Sequence, residues 1–162
     1  MFIDFTDAEE ILHWKVINDD VMGGISQSRI ELSPVATAIF SGQLALENNG
    51  GFASIRRQAD NYNLDGCTGV MLKVKGDGQT YQFRVKTDEQ YDGIAYRTLF
   101  ATDTLQWQTL TLPFSGFSAS FRGKPVRGAP VLCPEQIRQL GFLLADKQPG
   151  LFCLEIAWIK SY

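Results

Sequence analysis

The segment Thr80-Tyr81-Gln82-Phe83-Arg84-Val85-Lys86-Thr87 alternates apolar and polar side chains without a break. Only an extended strand turns successive side chains to opposite faces. Tyr81, Phe83 and Val85 therefore fall on a buried face, and Gln82, Arg84 and Lys86 on the other. Residues 36–41, 43–47, 52–58, 69–75, 94–101, 106–112 and 151–160 also suit strands. Turn residues separate them at Ser41-Gly42, Asn48-Asn49-Gly50-Gly51, Gly76-Asp77-Gly78 and Asp92-Gly93. Asp77-Gly78, between two alternating runs, predicts a β-hairpin. Many short strands with such close punctuation predict an all-β sandwich or barrel. The length of 162 residues suits one domain over residues 1–162. Helix is expected only in two short pieces. Asp7 caps one that runs to about His13, with Glu10 completing a capping box. The other is a single turn over Cys133–Arg138 that starts with Pro134. The stretch Phe114–Pro134, rich in Gly, Pro and Ser, predicts a long ordered loop over one edge of the sandwich.

Residue counts exclude much of the remaining chemistry. His13 is the sole histidine, so a multi-histidine metal site is excluded and one imidazole base remains. Cys67, Cys133 and Cys153 are odd in number and widely spaced, as free buried thiols in a reducing compartment would be. A net charge of −3 offers no field to attract nucleic acid. No dinucleotide fingerprint, phosphate-binding loop or nucleophile elbow occurs. The expectation is a chain without catalytic residues, cofactor or metal. Asp4, Asp7, Glu9 and Glu10 are unlike a transit peptide, and no basic and apolar leader is present. No apolar run approaches the ~20 residues of a bilayer span. A cytoplasmic location follows as the expectation.

Three segments are more specific than packing requires. In Trp14–Ser26, Asp19 and Asp20 precede Gly23-Gly24; the two acids suit a turn, a cation or a sugar hydroxyl. In Glu47–Arg57, the polar turn Asn48-Asn49-Gly50-Gly51 feeds a strand. Ala53 and Ile55 would face the core, which turns Ser54 and Arg56 outward. Arg84 joins them if both strands lie in one sheet. Two arginines on one face suit a carboxylate, a phosphate or an acidic partner surface. In Phe117–Gly128, Phe121 would anchor the segment while Arg122 reaches back to a carboxylate such as Asp19 or Asp20.

Trp14 with Ile17–Ser26, Phe40-Ser41-Gly42, Glu47–Arg56, Gly76-Asp77-Gly78 before Tyr81, Phe121-Arg122-Gly123, and Gly141–Lys147 before Gly150 and Phe152 together resemble the complex I intermediate-associated protein family, the thirty-kilodalton type. The resemblance runs from Trp14 to about Ile159. It implies a galactose-binding-like jelly-roll sandwich and a role that is not catalytic. Eukaryotic members of that family are mitochondrial assembly chaperones for respiratory NADH:ubiquinone oxidoreductase, and related sandwiches are often carbohydrate-binding modules. The chain is therefore expected to bind a protein partner, with Ser54, Arg56, Arg84, Tyr96 and Trp107 as the contact surface. The alternative is a carbohydrate ligand held by aromatics such as Trp14, Trp107 and Tyr96. Nucleic acid is not expected.

Overall fold

A computed structural model of the chain describes residues 1–18, 26–46, 51–90, 92–145 and 149–162. Among these, thirteen strands follow one another: β1 (Phe2–Asp4), β2 (Trp14–Asn18), β3 (Gln27–Leu32), β4 (Ala38–Leu44), β5 (Ala53–Arg57), β6 (Gly69–Lys75), β7 (Thr80–Lys86), β8 (Ala95–Ala101), β9 (Trp107–Pro113), β10 (Ser118–Phe121), β11 (Lys124–Pro125), β12 (Gln139–Leu144) and β13 (Gly150–Ser161). Helical residues among those described are single 3-10 turns at Glu10–His13, Phe114–Gly116 and Pro134–Gln136.

The strands pair antiparallel in two sheets. One has the order β3-β4-β13-β6-β9, with β1 added against β13. The other has the order β11-β10-β8-β7-β12-β5-β2. This is the all-β jelly-roll sandwich that the alternation and the family resemblance predicted. In β7, Tyr81, Phe83 and Val85 are buried on the core face as the alternation required, while on the outer face Arg84 is half-buried and Gln82 and Lys86 are buried as well. Phe142 of β12 is an aromatic hub on the core face of the seven-stranded sheet. Its ring centroid lies 5.3 Å from Phe83, 6.1 Å from Phe100 and 6.2 Å from Trp14. Each such fully buried aromatic contributes roughly 1.5–3 kcal/mol by leaving water.

Several expectations are corrected. Ser41-Gly42 is not a turn but the middle of β4, which merges two predicted strands. Gly42 stands opposite Ser28 and Phe152, and a Cβ there would lie 2.0 Å from the Gln27 carbonyl oxygen. The glycine permits close strand approach. Gly76-Asp77-Gly78 does not close a hairpin either, because β6 and β7 belong to different sheets. It carries the chain across the sandwich. Asp77 ties that crossing down: Oδ1 accepts from the Tyr81 hydroxyl at 3.1 Å, and Oδ2 from the Cys153 amide at 2.9 Å.

The Phe114–Pro134 stretch is loop over about half its length, as expected, but it also supplies a 3-10 turn and the strands β10 and β11 at one end of the seven-stranded sheet. Phe114 is buried and Phe117 stands edge-on to Phe83, whereas Phe121 is 40% exposed and anchors nothing in the core. Glu10 completes no capping box. Asp7 Oδ1 accepts from the Glu9 amide instead, and the Glu10 carboxylate turns inward to Trp14 Nε1 at 2.8 Å and to Arg57.

Candidate functional site

The outer face of the seven-stranded sheet carries the sharpest concentration of charge. Strand register builds it. Arg97 of β8 stands opposite Arg84 of β7; Arg84 stands opposite Gly141 of β12; Gly141 stands opposite Arg56 of β5. Three arginines thus occupy one row across four adjacent strands, with a glycine between the second and third. The next row holds Leu99, Gln82, Leu143, Ser54 and Ile17. A groove of about 730 Å3 runs over this face. That lies within the range of ~300–1,000 Å3 usual for ligand sites.

Among the described residues, the groove is lined by six cationic side chains, Arg56, Arg84, Lys86, Arg97, Arg122 and Lys124, against one carboxylate, Asp92. Asp92 is itself engaged, accepting from Arg122 Nη2 at 2.6 Å. A chain of net charge −3 has gathered a positive field in one place. Burial, then the charges of Arg56 and Arg97, depress the Arg84 guanidinium to about 10. Guanidinium stays protonated at neutral pH. The depression reflects what it costs to keep Arg84 charged there. Lys86 is pulled down in the same way, first by burial and then by Arg56, with Asp88 and Asp92 opposing. Its ammonium donates to the Gln90 carbonyl at 2.7 Å.

Gly141 keeps the floor of the row open. A Cβ at this position would sit 2.3 Å from the Ile55 carbonyl oxygen and 3.2 Å from Arg56 Cα. Strands lie ~4.8 Å apart, so the backbones bearing Arg84 and Arg56 are separated by about 10 Å with no side chain between them. Gln82 lies beside this gap. It is 8% exposed, and its Oε1 is buried without a hydrogen-bond partner.

The structure sorts the sequence-predicted residues. Ser54, Arg56 and Arg84 share the face, as the alternation required. The Ser54 hydroxyl donates to the Ile17 carbonyl, which ties β5 to the edge strand β2. Tyr96 does not share it. It is 6% exposed on the core side, and its hydroxyl donates to the Pro130 carbonyl at 2.6 Å. In β8 the phase that buries Tyr96 and Phe100 turns Arg97 outward. Trp107 is also misplaced: it lies on β9 of the other sheet, with Lys75 Nζ 5.3 Å and Lys73 Nζ 5.9 Å from its ring centre.

Among the described residues Arg122 reaches the carboxylate of Asp92. Residues 117–123 pack beside the β7–β8 connection and bring Asp92 within reach. Asp19, Asp20, Gly23, Gly24, Asn48, Asn49 and Gly50 lie outside the described residues. Gly51 takes φ +117°, where a side chain is strained. Sequence reading missed Arg97, Gln82 and Gly141. Strict alternation in 94–101 would have found Arg97. Among the described residues no group of three or more His, Cys, Asp or Glu side chains is arranged to hold a metal. No helix among them is long and apolar enough to cross a membrane.

The fold is similar to solved carbohydrate-binding modules. The family 11 module of the cellulosomal cellulase Lic26A-Cel5E of Clostridium thermocellum superposes with a TM-score of 0.71 at 15% identity, covering 100% of this chain and 94% of that one. At that identity the likeness establishes the fold alone. Two curated relatives are similar in sequence. The "Complex I intermediate-associated protein 30, mitochondrial" of Drosophila melanogaster is 26% identical over 96% of this chain and 60% of its own length. Its counterpart in Mus musculus is 28% identical over 98% of this chain and 54% of its own length. The chain thus spans little more than half of these relatives. Both are named as mitochondrial proteins, which overturns the cytoplasmic location expected from the N-terminal residues. The description Complex I intermediate-associated protein 30 matches residues 3–156, nearly the whole sandwich, and the chain belongs to that family.

Proposed function

We propose that this chain is a non-enzymatic assembly factor that binds a protein partner among complex I intermediates, in keeping with the names of its relatives. Residues 1–162 act as one binding domain, and the outer face of the seven-stranded sheet is the docking surface. The observation that carries this reading is the row Arg97–Arg84–Gly141–Arg56, a like-charge cluster with one lining carboxylate nearby. Arginine is favoured at interface hot spots because its planar fork makes several directed hydrogen bonds.

The carbohydrate reading has the fold in its favour and the groove against it. Sugar recognition rests on an exposed aromatic platform. Of the described aromatics at this groove, Phe142 is 1% exposed in the core and Phe52 is half-buried at one end.

The test is capture from the native host. Tagged wild-type chain is expected to retain complex I subunits on native gels, and Arg56→Ala and Arg84→Ala to lose them. Capture of no complex I subunit, or capture indifferent to both substitutions, counts against the proposal. Binding on a glycan array would favour the sugar instead.

A further inference from the structure

The half-buried Arg84 side chain makes no hydrogen bond or ion pair with any described residue, although two like charges and burial press on it. A guanidinium in that state is stabilised by an anion, and the planar fork favours a carboxylate or phosphate taken bidentately. The gap at Gly141 provides the room: it adjoins Arg84 on one side and Arg56 on the other. Arg97 flanks Arg84 from the far side. Anions between these stems would relieve the repulsion along the row.

A second observation narrows the ligand. Gln82 is two residues from Arg84 on the same face, about 7 Å along β7. Its Oε1 lacks a donor and is closed off from solvent, a condition that costs free energy until the side-chain amide turns toward the groove and meets one. The ligand therefore brings N–H or O–H groups within a few ångströms of its negative charge. A polypeptide does this, because each acidic residue carries its own backbone amide. An inorganic phosphate dianion offers no such spaced pair. Leu99, 60% exposed, and the Leu143 side chain lie in Gln82's row and offer apolar contact beside the charges.

The geometry points to an acidic peptide segment as the occupant of this groove, with carboxylates bridging Arg84 to its flanking arginines over Gly141 and a backbone N–H donating to Gln82. This rests on the proposed docking role of the same face and specifies what the partner presents there.

A fluorescein-labelled hexaglutamate peptide, with hexaglutamine as its uncharged counterpart, provides the test by fluorescence anisotropy. Hexaglutamate is expected to bind and hexaglutamine not. Arg84→Gln and Arg97→Gln each weaken binding about tenfold or more, as loss of a charge-assisted bidentate contact does. Gln82→Met, which leaves the charge unchanged, also weakens it. Lys73→Gln removes the same charge from the other sheet and leaves binding unaltered. Circular dichroism melting of each variant establishes that it is folded.

Equal weakening by Lys73→Gln would overturn the inference in favour of unspecific attraction. An unaffected Gln82→Met would overturn the peptide geometry, and inorganic phosphate binding as tightly as hexaglutamate would overturn the peptide. If hexaglutamate does not bind while complex I capture still depends on Arg84, the acidic occupant is wrong and the docking face stands. If hexaglutamate binds as described while capture is indifferent to Arg84, the acidic-peptide site stands and the assembly reading falls.

Discussion

Arg57 Nε lies 2.7 Å from Glu10 Oε2, and Arg57 Nη2 lies 3.0 Å from Glu10 Oε1, with both side chains about nine-tenths buried. The preceding residue, Arg56, faces the groove. One step along β5 thus separates an arginine neutralised inside the sandwich from one displayed outside it. Burial works against the Arg57 charge, but hydrogen bonds with Glu10 and Tyr62 outweigh it and raise its proton affinity. The Arg57 guanidinium also lies 5.4 Å from the Tyr62 ring centre.

Among the described residues, removing Glu10 leaves the buried Arg57 charge with only the longer, solvent-exposed carboxylate contact to Asp60 Oδ2 at 3.4 Å. Glu10→Ala is expected to cost about 3–5 kcal/mol of folding stability. The double variant Glu10→Met/Arg57→Met regains most of that, because neither charge then remains to be desolvated. Urea denaturation of the two variants beside wild type measures both effects. A Glu10→Ala protein as stable as wild type would show that Asp60 alone suffices as the counter-ion of Arg57.

Tyr81 couples stability to alkaline pH. Burial, then the Asp77 charge and the hydrogen bond to Asp77, raise its phenol above the ordinary value of ~10. A raised acid contributes stability that is fully present below the unfolded pKa. It is lost as pH rises toward the folded one, since the unfolded chain releases the proton first. Tyr62 is raised as well, chiefly by burial. Stability should fall above pH ~10 by about 1.4 kcal/mol per pH unit through Tyr81, with Tyr62 acting in the same direction. The urea midpoint followed from neutral pH into this range gives the slope, and Tyr81→Phe should flatten it. Parallel slopes in the two proteins would remove Tyr81 as the cause.

The legible parts of this molecule are those set by local period. Tyr81, Phe83 and Val85 inside, with Ser54, Arg56 and Arg84 outside, follow from alternation alone. The row that joins Arg56 to Arg84 does not, because it depends on β12 lying between β5 and β7. β12 reads Gln-Leu-Gly-Phe-Leu-Leu and is buried along its whole length, so it has no alternation to find. The crossing at Asp77-Gly78 was misread for a related reason. A turn sequence fixes a change of direction, while the destination sheet is chosen by long-range pairing of β6 with β13 and β7 with β12. The Glu10–Arg57 pair spans 47 residues and leaves no local trace.

Cys153 is exposed yet poorly suited to react. Burial of its sulfur, then the charges of Asp77 and Glu155, raise the thiol above its ordinary value, against weaker pulls from Lys75 and Arg29. The thiolate is the nucleophile, so alkylation by iodoacetamide at neutral pH should run slower at Cys153 than on N-acetylcysteine. Asp77→Asn should accelerate it by removing one of the two negative charges. Peptide mapping after timed alkylation gives the site-specific rates. A Cys153 rate above that of the small thiol would contradict the electrostatic account.

Arg84 separates stability from function most directly. Its charge is held beside Arg56 and Arg97 with little solvent and no described partner, so it contributes repulsion to the free protein. Arg84→Met keeps a long flexible side chain over the sheet and removes the charge. The variant is expected to gain about 1 kcal/mol, the usual scale when a strained functional group is replaced. For a chain of this size that raises the melting midpoint by about 2–4 °C. The same substitution should weaken hexaglutamate binding about tenfold or more, because the bidentate donor is gone. Calorimetric melting and anisotropy titration on one preparation test both halves. Loss of stability in Arg84→Met would make Arg84 a structural residue whose stem packing outweighs its charge, whereas gained stability with weakened binding marks a position kept for the partner at the expense of the fold.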